Sequence, residues 1–283
     1  MEQTGLVLEG GGSRGIYTAG VLRHLMETGI YLPYVIGVSA GACNGSSYVS
    51  RQLDRNRAVL VDYVKHPDYL SLRNLIQKRQ LFGMDFLFDT LPNSLEPFDY
   101  QTFEKAEEEF VVGTTDCITG EALYFDKKEY NDDMLTLMRA SSSLPMVAPA
   151  VPFADRMLMD GGIADPIPIM QSIRQGNRKN VVILTQTRDY FKKPQSVGWY
   201  MRRKYREYPG LLKAMDKRHK VYNETLSYIR EEERKGNVFV VSPSSPPGVS
   251  RVERNQGKLN SLYQRGMADA RERESALQEF LKG

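Results

Sequence analysis

The sequence predicts an α/β fold, a three-layer α/β/α arrangement with a mostly parallel central sheet. Two observations predict it. Strand, loop and helix follow one another twice within the first 53 residues, and such alternation builds parallel strands with ligands at their carboxyl ends. Short apolar runs at 110–116, 122–125, 157–160, 180–184 and 237–241 then supply further strands. A chain of 283 residues, 41% hydrophobic and 26% charged, suits one such unit with a tail. We expect a single domain over 1–283, with a catalytic core in 1–190 and a mainly helical extension over 191–283.

The first strand, 5–9, runs straight into Gly10-Gly11-Gly12-Ser13-Arg14-Gly15. Ile16, Ala19, Val21, Leu22, Leu25 and Met26 then fall at helical spacing up to a C-cap at Gly29. The second strand, 34–36, stops at Gly37-Val38-Ser39-Ala40-Gly41, and a helix over 40–53 follows. G-x-S-x-G has the form of a nucleophile elbow, in which small neighbours let the backbone turn sharply and present the serine hydroxyl. Residues 56–65 read as helix. The aromatic segment 81–88 reads either as buried core or as the wall or lid of an apolar substrate groove. The runs at 110–116 and 122–125, joined through Thr119-Gly120, read as a hairpin. A helix over 132–142 and a Pro-rich loop over 144–152 lead to Met157-Leu158-Met159-Asp160-Gly161-Gly162, a short strand that delivers a carboxylate at its end. Alone, Asp-Gly-Gly is a turn signal. Here it adds an acid to the rim that carries the elbow and the glycine loop.

Gly10-x-Gly12-x-x-Gly15 satisfies the dinucleotide-binding fingerprint, but the second strand ends without the acid that would hold a ribose, and no Gly-Lys-Ser/Thr follows for a P-loop. Amides converging at a helix N-terminus receive an oxyanion as well as a phosphate, and beside an elbow serine that is the better use. The three histidines are poorly placed for a triad: His24 is mid-helix, His66 precedes Pro67, and His219 lies in a run of Lys and Arg. If Ser39 is a nucleophile, Asp160 is the candidate to take its proton directly.

These three stretches, Gly10 to Gly15, Gly37 to Gly41 and Asp160-Gly161-Gly162, resemble in order and context the signature motifs of the patatin-like phospholipases. The resemblance covers roughly residues 5–190 and is greatest to the small bacterial members. It implies a patatin-like fold and a Ser39–Asp160 dyad. It implies an oxyanion hole from the backbone of Gly10, Gly11 and Gly12 with Arg14 and Ala40, and motif roles for Gly15, Gly37, Gly41, Gly161 and Gly162. The implied reaction is hydrolysis of lipid acyl esters, of the phospholipase A or lysophospholipase kind, with no metal and no cofactor. A cation in a first helical turn is opposed by the helix dipole, which favours a functional Arg14 over a plain surface residue. The alternative is a catalytically silent lipid-binding or regulatory protein on the same fold.

Residues 197–220 hold eight Lys or Arg and two acids, a balance of +6 in a chain of net +3. This is either a solvated helical face or, with Trp199, Tyr200, Tyr205 and Tyr208 interleaved with Arg202, Arg203, Lys204 and Arg206, a patch for an anionic membrane. Nucleic acid gains no support from the fold. No run approaches the about 18 apolar residues of a membrane span, and no signal-peptide core is present, so we expect a cytoplasmic protein, peripheral at most to the inner face of the membrane. Cys43 and Cys117 form no metal spacing and no disulfide framework, and read as small buried residues. A charged amphipathic helix over 256–281 closes the chain.

Overall fold

A computed structural model of the protein describes residues 3–70 and 81–283. The two opening units are β1 (Thr4–Leu8), α1 (Ile16–Glu27), β2 (Tyr34–Val38) and α2 (Ala40–Val49). The hairpin is β3 (Glu109–Asp116) with β4 (Ala122–Asp126), and α3 (Met134–Ser141) follows it. Next come β5 (Val151–Phe153), β6 (Arg156–Asp160), α4 (Ile169–Arg174) and β7 (Lys179–Ile183). The remainder holds α5 (Trp199–Lys204), α6 (Pro209–Arg234), β8 (Val238–Val241), α7 (Gln256–Glu272) and α8 (Glu274–Lys282).

Among the described residues one sheet of eight strands runs in the order β5-β6-β3-β2-β1-β7-β8, with β4 also on β3. The run β3-β2-β1-β7-β8 is parallel throughout, and the contacts of β3 with β4 and β6, and of β5 with β6, are antiparallel. Side chains alternate across a strand, and the central strands divide accordingly. Leu6, Leu8, Val35, Val181 and Ile183 join one core cluster with α1, α2 and α7. Val7, Ile36, Val182 and Leu184 join another with Tyr222, Leu226 and Ile229 of α6. Helices therefore cover both faces, and the sheet is buried between them.

Three details depart from the sequence reading. The helix predicted over 40–53 stops at Val49, and Arg51 takes φ 61°. Residues 55–65 are helical but irregular, passing through α, π and 3-10 turns. The closing helix is two helices meeting at Arg273, whose guanidinium lies 4.6 Å from the Phe239 ring centroid.

α1 and α7 cross at glycines. A β-carbon on Gly20 would overlap the Tyr263 carbonyl oxygen, and one on Gly266 would overlap that of Tyr17. The Tyr17 hydroxyl also donates to Asp269 at 3.0 Å. This close approach leaves no room for a methyl group. Gly266→Ala is expected to destabilise the fold by about 1–3 kcal/mol, a fall of roughly 2–4 °C per kcal/mol in thermal unfolding. An unchanged melting temperature would show that the crossing relaxes freely.

Candidate active site

Two strand ends meet on one edge of β3. β2 pairs with it as far as Val38 opposite Gly113, and β6 takes over the same edge with Asp160 opposite Thr114, while β4 occupies the other edge. β2 is parallel and β6 antiparallel to β3, so their carboxyl ends face each other. Ser39 follows directly on Val38, and Asp160 closes β6. Residues 121 positions apart are thus brought together by strand register.

The junction is tight. A β-carbon on Gly161 would overlap the Gly113 carbonyl oxygen, and one on Gly113 would lie 2.7 Å from Val38 Cγ1. Ser141, at the end of α3, bridges the strands: its hydroxyl accepts from Ser39 N at 2.8 Å and donates to Gly113 O at 2.6 Å. Ser39 itself has φ 55° and ψ −129°, a conformation costing about 1–3 kcal/mol for a non-glycine residue. Gly37 and Gly41 permit that turn, because β-carbons there would lie 2.6 Å from Ala42 N and 2.5 Å from Leu8 O.

Asp160 is 2% exposed and Ser39 6%. Oδ1 of Asp160 accepts from Gly162 N at 2.8 Å, while Oδ2 is buried without a well-formed hydrogen bond among the described residues. Burial raises the proton affinity of this carboxyl; the adjacent Ser39 hydroxyl, the Arg218 charge and the Gly162 amide pull it back in part. The serine stands close enough to act on the carboxyl but short of full hydrogen-bond alignment, a common state of a site without substrate.

In the glycine loop, Gly10 N donates to Pro166 O at 3.4 Å, whereas Gly11 N and Gly12 N have no partner among the described residues. Gly12 takes φ 57°, and a β-carbon there would lie 2.5 Å from Arg251 O. That carbonyl also accepts from Ser13 N at 2.9 Å and Ser13 Oγ at 3.1 Å, which pins the loop to the C-terminal segment. A β-carbon on Gly15 would lie 2.7 Å from the Ala40 methyl, so the loop's helix and the elbow's helix start side by side. Arg14 turns into the protein: its Nε is buried without a partner, and its nearest charges are Glu9 and Arg251.

A cleft of about 1040 Å³, measured to its open mouth, receives Ser39, Ala40, Gly12 and Ser13. Its wall includes Phe82, Met84, Leu87, Phe88, Met138 and Leu144. Half of the 81–88 segment, Phe82, Met84, Leu87 and Phe88, therefore faces the cleft, while Phe86 belongs to the core and stacks on His66 at 4.4 Å. Cys43 also lines the cleft, and burial raises its thiol pKa, so it is a poor nucleophile at neutral pH. None of the histidines reaches the cleft; His24 is buried against Glu274 at 3.0 Å. Among the described residues no three His, Cys, Asp or Glu side chains converge as metal ligands.

Some participants escaped the sequence reading. Ser141 carried no signal, since a serine at a helix end is commonplace. Arg218 appeared to sit in a solvated run, yet its Nε donates to Gly162 O beside Asp160. It did carry a signal: the half-buried Arg218 stands seven residues after Leu211 and four before Tyr222, in line with the buried stripe Leu211, Tyr222, Leu226 and Ile229 of α6.

The site thus joins a strained serine and a buried carboxylate at adjoining strand ends of an α/β sheet with a glycine loop whose Gly11 and Gly12 amides have no partner among the described residues. A model of the patatin-like phospholipase family matches residues 6–173, and the chain belongs to that family, one of lipid hydrolases. A domain of unknown function, DUF6363, matches residues 208–282. The uncharacterized protein YjjU of Escherichia coli is 26% identical over 252 residues, covering 85% of this chain and 68% of YjjU. The lysophospholipase NTE1 of Lodderomyces elongisporus is 26% identical over 286 residues, 95% of this chain but 19% of that protein, and NTE1 of Candida albicans is 25% identical with similar coverage. The chain thus spans about a fifth of the fungal lysophospholipases it matches. The structure of VipD from Legionella pneumophila covers 96% of this chain and 66% of its own, at 12% identity and a TM-score of 0.48.

A buried carboxyl with a raised pKa favours its neutral form. Its contribution to stability is fully present below the ordinary value of 3.8 and is lost as pH rises through the folded value. At pH 8 the charge is therefore a burden, and Asp160→Asn is expected to stabilise the fold by about 0.5–2 kcal/mol. The gain should fade on acidification toward pH 4. Thermal unfolding of both proteins across this range checks it, and a variant less stable at pH 8 would refute the sign.

Proposed function

We propose that the protein is a serine lipid acyl hydrolase, of the phospholipase A or lysophospholipase kind, working through a Ser39–Asp160 dyad. The observation that carries this reading is the meeting of β2 and β6 on β3, which sets an elbow serine beside a buried carboxylate at the end of an apolar cleft. Asp160 takes the proton as Ser39 Oγ attacks the ester carbonyl carbon. The amides of Gly11 and Gly12, with that of Ala40 at the start of α2, receive the oxyanion, and removing one such donor typically costs about 3–4 kcal/mol. The tetrahedral intermediate collapses, the alcohol leaves with the proton held by Asp160, and the acyl group stays on Ser39. Water then gives a proton to Asp160 and attacks the acyl carbonyl. The fatty acid departs as the proton returns to Ser39. Gly10 shares the loop but its amide already has a partner, and Arg14 supports the loop from behind. A silent lipid-binding protein would have no use for a strained serine against a buried acid, and the retention of both supports the hydrolase.

The basic patch offers a route to the lipid. Trp199 and Tyr200 are 75% and 52% exposed, and Arg202, Arg203, Lys204 and Arg206 surround them. Tyr205 is not part of the patch: it is buried, with its hydroxyl accepting from Met146 N at 2.8 Å. α5 thereby rests on the loop whose Leu144 lines the cleft. No helix among the described residues is long and apolar enough to cross a membrane, so this reading is of surface docking.

A fluorophosphonate probe is expected to label Ser39, with the adduct absent in Ser39→Ala, and ester turnover in Asp160→Asn should fall by about 10²–10⁴-fold. Folded protein that neither labels nor hydrolyses p-nitrophenyl esters would retire the hydrolase. In sedimentation with vesicles containing anionic lipid, replacing Arg203, Lys204 and Arg206 by Gln should weaken binding, by about 1 kcal/mol per charge at low salt. Equal sedimentation of the variant would rule out the patch.

A further inference from the structure

The cleft is apolar along most of its wall, yet two charged side chains line it, and both are cations. Arg251 stands at the glycine loop, where its carbonyl holds Ser13. Arg55 stands further along, on the irregular helical stretch that follows α2, beside Val59, Leu60 and Phe98. Its Nη1 donates to Ser47 Oγ at 3.4 Å. The Cys43 thiol, one turn of α2 beyond Ser39, also feels the Arg55 charge. At about 1.5 Å per residue along α2, the stretch from Cys43 to Ser47 lies roughly 6–12 Å from the nucleophile. The guanidinium therefore sits in the depth of the cleft and not at the reacting carbonyl.

Nothing neutralises Arg55 among the described residues. It forms no ion pair there, its one hydrogen bond is the long one to Ser47, and its Nε is buried without a partner. Glu96 is the acid whose charge reaches it, and no hydrogen bond joins the two among the described residues. The Phe98 ring centroid lies 5.1 Å from the guanidinium carbon, which steadies the cation without cancelling its charge. Burial lowers the pKa of Arg55 from its ordinary value, and an arginine held in this way stays charged at neutral pH. A desolvated, unpaired cation is costly until an anion meets it. The planar fork of a guanidinium matches a carboxylate through two parallel hydrogen bonds.

We propose that Arg55 makes the protein selective for acyl chains that end in a carboxylate, bound with the ester carbonyl at Ser39 and the far carboxylate on the guanidinium. The selection in turnover rests on the hydrolase reading above; the binding does not. A fully staggered chain advances about 1.3 Å per carbon, so an acyl chain of roughly five to nine carbons spans the interval. A plain alkyl chain of that length would press a methyl group against the guanidinium and leave it unpaired. Oxidative cleavage of an unsaturated acyl chain at its double bond is the class of reaction that leaves such a carboxylate on an ester.

Binding is tested in full-length Ser39→Ala by calorimetry with monomethyl suberate and methyl octanoate, which differ at the far end of the acyl chain. The half ester should bind at least about tenfold more tightly, and Arg55→Gln in this background should bring the two affinities together. Arg55→Lys keeps the charge but loses the fork, so its preference should be intermediate, which keeps the test decisive if the glutamine variant misfolds. Equal affinities in the Ser39→Ala protein overturn the subsite. In the active protein, kcat/KM for p-nitrophenyl hydrogen suberate should exceed that for p-nitrophenyl octanoate at least about tenfold, and the ratio should approach one in Arg55→Gln. Equal kcat/KM values overturn the selection. The octanoyl ester of hydroxyhexanoic acid carries its carboxylate on the alcohol side. A preference for this ester over the suberate half ester, lost in Arg55→Gln, overturns the assignment to the acyl end in favour of a leaving-group site. Absence of turnover on every ester would sink the hydrolase, and the calorimetry would still decide the subsite.

Discussion

The edge of β3 is shared. Because β2 leaves that edge at Gly113 and β6 enters it at Thr114, two strands of opposite direction end against each other with no spare residue between them. Hydrogen-bond register is a stiff coordinate: a shift of one residue would turn every side chain of β6 to the opposite face. The distance between Ser39 and Asp160 is therefore set by the sheet and not by the flexibility of loops. Gly113 and Gly161 are what the arrangement demands, since any side chain at either would force the strand ends apart. The Ser141 hydroxyl ties the last amide of the elbow to the same point.

Electrostatics follow from that placement. Burying Asp160 at a strand junction raises its proton affinity, while the Ser39 hydroxyl, the Arg218 charge and the Gly162 amide pull it back in part. The influences oppose each other, and burial prevails, so this carboxyl is more basic than a surface aspartate. Burial, reinforced by the neighbouring arginine charges, has the reverse effect on Lys192 and Arg218, both of which are pushed toward their neutral forms. A single cluster thus raises one group and lowers others, for the one reason that all share a site poor in water.

Much of this was legible before any coordinates. The strands at 110–116, 122–125, 157–160, 180–184 and 237–241 stand within a residue or two of β3, β4, β6, β7 and β8, because strands in or beside the core read as short apolar runs. The elbow and glycine loop were legible because small residues are written into the sequence wherever backbones touch. What was hidden is long-range. Nothing near Asp160 states that β6 abuts β2, and nothing in the run around Lys217 to Lys220 states which cation points inward, except the stripe of α6 read over the nineteen residues from Leu211 to Ile229. The break at Arg273 carries neither glycine nor proline to announce it.

The clamp on the glycine loop has a temporal side. Ser13 is held by the carbonyls of Arg251 and Glu253, 238 and 240 positions further along the chain. Synthesis at about 5–20 residues per second leaves that loop without its anchor for roughly 12–50 s after Ser13 is made. Only in the last part of that interval, after Asp160 itself has been made, can the elbow and the aspartate be paired on β3 while the loop is still unset. The glycine loop is therefore the last part of the site to be fixed, a latency written into chain order.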